Sequence, residues 1–149
     1  MYRFEWKQFL VITLITSLWV NASEIFRYFV LVIPRVKGFW DGRSGIAEMN
    51  AGIFVIWGLW DSLLTAMMVL LCWLYLCRFG NSIRSSIVAG TLSWLFIFVL
   101  FWVAAANMGY TDWSILWITL PLSWLEMVIG SIIASRLYAS RRWLKQVPA

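Results

Sequence analysis

The amino-acid sequence predicts an all-α integral membrane protein, a four-transmembrane-helix bundle with short loops and both termini in the cytoplasm. Three observations carry that expectation. Of 149 residues, 62% are hydrophobic and 13% charged, with a mean hydropathy of +0.81, whereas a soluble domain carries about a quarter charged residues. The apolar residues gather into four runs, each long enough to meet the roughly 20 residues that a spanning helix needs. The basic residues gather at the ends of those runs. The runs consume the chain, so residues 1–149 read as a single transmembrane domain.

The helices are expected over about residues 8–33, 47–77, 83–106 and 113–138, with a basic tail over about 139–149. Arg3 and Lys7, with Tyr2, Phe4 and Trp6, form an interfacial lead-in to the first. Positive residues, an apolar run and Asn21-Ala22-Ser23 imitate a signal peptide, but the run resumes through Ile33 and argues against cleavage. Pro34 is expected to stop this helix, because proline lacks an N–H and clashes with the preceding turn. Pro34–Gly45 then reads as a loop with Arg35, Lys37, Asp41 and Arg43. Arg78-Phe79-Gly80-Asn81 is a helix stop and turn, and Asn107–Asp112 a tight turn without a basic residue. Pro121 is expected to kink the start of the fourth helix.

Orientation follows from the positive charges. Eight Lys and Arg residues fall on the side shared by the termini and the loop after helix two, and three on the other side. Cytoplasmic loops carry the excess of Lys and Arg, so both termini belong inside. The expected location is the bacterial inner (plasma) membrane. The net charge of +5 is thereby explained without nucleic acid.

Histidine is absent, which removes His-ligated haem, di-iron sites of the Glu-x-x-His kind and Ser-His triads. Cys72 and Cys77 stand five apart on one helix and read as buried apolar thiols rather than metal ligands. No cofactor is expected. Trp6, Trp40, Trp113 and Trp143 sit where an interfacial belt would be. Trp19, Trp57, Trp60, Trp94, Trp102 and Trp124 lie deeper, as helix-packing bulk or as the wall of an apolar site.

The chemistry is concentrated in Asn21-Ala22-Ser23-Glu24-Ile25-Phe26-Arg27-Tyr28. Ionisable groups at membrane depth are costly and face a bundle interior or a wet cavity. Thr13, Ser17, Asn21, Glu24 and Tyr28 share one helical face, and Arg27 lies three residues beyond Glu24, within reach of an ion pair. Gly58, Asp61 and Thr65 align on helix two, and Thr119, Ser123, Glu126, Gly130 and Ala134 on helix four. At roughly 1.5 Å per residue, Glu24 lies about 22 Å from Phe9, Asp61 about 21 Å into helix two and Glu126 about 20 Å from Trp113. If these stripes meet, three acids and one arginine share a slab with a formal surplus of two negative charges. Burial and mutual repulsion then leave at least one acid protonated near neutral pH.

Three functions compete on this evidence. The first is a proton- or cation-linked transporter or channel acting as a homo-oligomer, with Glu24 carrying the exchangeable charge, Arg27 tuning it, and Asp61, Glu126, Asn21 and Tyr28 completing the site. The second is a structural or assembly subunit of a larger membrane complex, where the same cluster locks helices or meets a partner subunit. The third is a lipid-directed enzyme, but no nucleophile elbow, metal motif or phosphate loop is present. Membrane lipid and other membrane subunits are the expected partners.

Overall fold

A computed structural model describes residues 4–41 and 49–140. Within them the chain is all-helical, with four helices long and apolar enough to cross a membrane: Trp6–Trp40, Ala51–Phe79, Ile83–Asn107 and Trp113–Ala139. The first comprises α1 (Trp6–Phe26), a π-helical stretch (Arg27–Val32) and α2 (Ile33–Trp40). The second is α3 (Ala51–Phe79). The third comprises α4 (Ile83–Trp94), a second π-helical stretch (Leu95–Val99) and α5 (Leu100–Asn107). The fourth is α6 (Trp113–Ala139). The basic tail residues Arg141, Arg142 and Lys145, the belt residue Trp143, the lead-in Tyr2 and Arg3, and Arg43 lie outside the described residues.

Pro34 does not stop the first helix. The helix continues through it to Trp40. The physical reason lies just upstream, where the backbone widens into a π-turn and shifts the carbonyls that an α-helix would press against the ring. Arg35 adds a donor in the turn where Pro34 removes one, giving a guanidinium hydrogen bond to the Leu31 carbonyl at 2.6 Å. Pro121 likewise lies inside an unbroken helix. Helix two starts at Ala51, where the Asn50 side chain accepts from the Ile53 N–H at 3.0 Å, and runs on through Asp61 without a break.

α6 is the hub, packing against α4, α1 and α3. Its buried face is built of Thr119, Ser123, Glu126, Gly130, Ser131 and Ala134. Lipid is as apolar as leucine, so helices associate through close packing and hydrogen bonds between small side chains. The bonds are visible. Ser86 donates to Ser135 at 2.8 Å, Asn81 to the Ser135 carbonyl at 3.0 Å, and Ser131 meets the buried Cys72 thiol at 3.3 Å. Cys77, by contrast, is exposed, not buried, because five residues of helix turn it well away from Cys72.

The antiparallel pair α4–α6 is held by a reciprocal tryptophan clasp. The Trp94 indole donates to the Leu120 carbonyl at 2.8 Å and the Trp124 indole to the Thr91 hydroxyl at 3.0 Å. Just beyond the clasp, Gly90 lies so close to α6 that an added Cβ would stand 2.7 Å from the Val128 Cα and 2.8 Å from the Met127 carbonyl oxygen. Backbone atoms cannot swing aside, so Gly90→Ala should force the helices apart and cost about 1–3 kcal/mol. Unfolding of the variant by denaturing detergent would test this, and an unchanged midpoint would contradict it.

The turn into α6 is capped by Asp112, whose carboxylate accepts from the Ser114 N–H at 2.8 Å. The Ser114 side chain first, and then that backbone bond, hold the exposed Asp112 carboxyl below its usual range. A depressed folded-state value means the cap contributes above the ordinary aspartate range and is lost as pH falls through the depressed value. The protection factor of the Ser114 amide, its exchange rate relative to the intrinsic rate at the same pH, should therefore fall on acidification in the native chain. In Asp112→Asn, which keeps the acceptor but not the charge, that fall should vanish.

Candidate functional site

The four ionisable residues expected at membrane depth come from three spans and converge on the bundle interior. Glu24 and Arg27, at the join between α1 and the π-helical stretch, form a direct ion pair. The same guanidinium presents its Nε to a Glu126 carboxylate oxygen at 3.9 Å. Its opposite flank is covered by the Phe98 ring, 5.2 Å from the guanidinium carbon to the ring centroid, a cation–π distance. Phe98 belongs to the second π-helical stretch, so the two widened turns of spans one and three meet at Arg27. π-bulges of this kind concentrate at functional sites.

Burial makes these contacts costly. Arg27, Glu126 and Glu24 expose 4%, 1% and 7% of their surface, and a charge removed from water is tolerated only where it is paired. The pairing is incomplete. Neither Glu126 carboxylate oxygen nor the Arg27 Nε makes a hydrogen bond of normal geometry. Ser23 approaches Glu126, but no hydrogen bond of normal geometry closes between them. One guanidinium is thus shared unequally between two carboxylates, tightly with Glu24 and loosely with Glu126.

Asp61 stands apart. It exposes 7%, and among the described residues its carboxylate has neither an ion pair nor a side-chain hydrogen bond. It borders two cavities, one on each flank of α3. The larger, about 290 Å³, lies between α3 and the second half of span three and reaches Glu24 and Arg27 at its floor. The smaller, about 100 Å³, lies between α3 and span one and includes Asn21, Glu24 and Tyr28. Asn21 turns its amide back to the Ser17 carbonyl at 2.9 Å, and Tyr28 packs its ring 5.4 Å from that of Trp57.

The deep tryptophans divide between the two roles considered for them. Trp19, Trp94 and Trp124 tie helices together through their indole N–H groups, Trp19 to the Glu126 carbonyl at 3.1 Å. Trp57, Trp60 and Trp102 line the larger cavity. Phe98 is the site residue that the sequence reading missed. Span three has no ionisable residue at its middle, and one phenylalanine within an apolar run carries no signal of its own.

Among the described residues no three acidic or thiol side chains gather into a group able to hold a metal ion. The chemistry available is therefore exchange of ion-pair partners, binding of a proton, or neutralisation of a cationic group. Compared with known proteins, the chain matches no family model, no curated protein and no solved structure.

Proposed function

We propose that this protein is a small proton- or cation-linked transporter or channel, its exchange centre formed by Glu24, Arg27, Asp61 and Glu126, and its termini in the cytoplasm. The observation that carries the reading is the Glu126 carboxylate, fully buried beside Arg27 with its hydrogen-bonding capacity unused. A cluster built only to lock helices is expected to satisfy every lone pair, since a half-satisfied buried network destabilises. Support also comes from buried hydroxyls without partners, Thr13, Thr16 and Ser17 on α1 and Thr119 on α6. By helix position they flank Glu126 toward both ends of the bundle, as unused polar groups on either side of the acid. The test is proton flux in liposomes containing the purified protein and an internal pH-sensitive dye. Flux above protein-free liposomes that disappears in Glu24→Gln supports the reading, and flux indistinguishable from the empty liposomes removes it.

One observation favours a second reading, a subunit of a larger membrane complex. The first turns of α3, with Phe54, Val55, Ile56, Leu59 and Trp60, are largely exposed, and such a face accommodates either lipid or another helix. Mass measurement of the particle extracted gently from its native membrane separates the two. A stoichiometric second protein favours the subunit reading, and a homo-oligomer free of other chains favours the transporter.

A further inference from the structure

We propose that the cavity between α3 and α5 is a binding site for a small organic cation, an ammonium bearing an apolar group, which reaches it sideways from the hydrocarbon layer. The inference rests on the transport reading and names the solute class for it.

The shape comes first. α3 packs along α4 but diverges from α5, and the wedge between them is the cavity of about 290 Å³. That is the lower end of the roughly 300–1,000 Å³ usual for small-molecule sites, so the ligand is small. Its rim is exposed at Ile56, Trp60 and Phe101, while its floor at Arg27, Asp61 and Phe98 is buried. All of these lie within helices long and apolar enough to span a membrane, and with those helices inserted the rim opens toward hydrocarbon.

Charge comes next. Arg27 engages Glu24 and Glu126, which leaves Asp61 as the cluster's acid without a counter-ion among the described residues. An anionic ligand would meet two carboxylates, Asp61 and Glu24, against the one guanidinium of Arg27, which is already engaged. A neutral one would leave Asp61 uncompensated. A cation resolves both difficulties with one group.

The kind of cation follows from the walls. A bare metal ion requires several oxygen ligands, and no such group exists among the described residues. Here Asp61, the lining carboxylate without an ion pair, shares the cavity wall with the rings of Trp57, Trp60, Phe101 and Trp102. Aromatic faces are the usual receptors for organic ammonium groups, tryptophan being the best of them. The apolar part of the ligand then occupies the rim, in contact with Ile56 and the lipid chains.

The full-length protein in lipid nanodiscs should bind tritiated benzyltrimethylammonium saturably. Neopentylbenzene, which has the same shape with carbon in place of the charged nitrogen, should fail to displace it. Asp61→Asn should weaken binding by about tenfold or more, as expected on removing one partner of a buried charge pair. Trp60→Leu should weaken it about threefold through loss of one ring. Equal competition by neopentylbenzene, unchanged binding by Asp61→Asn, or no saturable binding would each overturn the proposal. If Asp61→Asn does not assemble, the competition on the unaltered chain and the Trp60→Leu variant decide it. Binding without proton flux would leave this site standing and remove the transport reading, whereas flux without binding would remove this site alone.

Discussion

Arg27→Met should be the most damaging single substitution in the chain. It leaves the Glu24 and Glu126 carboxylates buried side by side with no positive charge between them, and removes the cation above the Phe98 ring. Breaking a buried ion pair by deleting one partner costs about 3–5 kcal/mol, because the survivor is an uncompensated charge. Unfolding by denaturing detergent in micelles would read that loss directly. The diagnostic comparison is the triple variant Arg27→Met, Glu24→Gln, Glu126→Gln. Removing all the charges together removes the desolvation cost as well, so most of the stability should return. A triple variant no more stable than Arg27→Met would mean that the pair contributes through packing. An Arg27→Met variant as stable as the native chain would contradict the geometry itself. Phe98→Leu should cost about 0.5–2 kcal/mol by the same measurement, the range of a desolvated cation–π contact.

The four spans were legible in the sequence because each apolar run exceeds the length that a bilayer imposes, and nothing else in the chain competes with that signal. Pro34 was misread for a specific reason. The rule that proline ends a helix assumes α-helical carbonyl spacing in the preceding turn, and the π-turn of Arg27–Val32 removes that assumption. The ionic residues were legible one by one, as charges inside apolar runs at spacings of three and four. Their meeting was not, because it depends on the rotation and height of α1 against α6. Packing sets those: a Cβ at Gly130 of α6 would stand 3.6 Å from Thr16 and 3.7 Å from Val20 of α1, so the two helices touch about one turn from Glu126. The roles of the tryptophans were illegible for the same reason, since a clasping indole and a cavity wall have identical residue names and differ only in facing.

Glu24→Gln and Glu126→Gln together test whether the shared guanidinium is a switch. In the native chain Arg27 is bound to Glu24, and Glu126 waits at 3.9 Å with both oxygens unbonded. Glu24→Gln removes the preferred partner, so Arg27 should close on Glu126 and hold it as a permanent ion pair. Glu126→Gln instead leaves the Glu24 pair intact and removes the waiting acid. Both variants retain one complete buried pair, so both should assemble with stability close to native. Both should nevertheless lose proton flux, the first because Glu126 is captured and the second because it is gone. A single exchange acid would behave differently. If Glu24 alone carried the proton, Glu126→Gln would still conduct; if Glu126 alone did so without the arginine exchanging partners, Glu24→Gln would still conduct. Flux retained in either variant therefore rules out partner exchange. Flux lost in both, with fold and particle mass unchanged, would make Arg27 the moving charge and explain why the Glu126 carboxylate is left unsatisfied beside it.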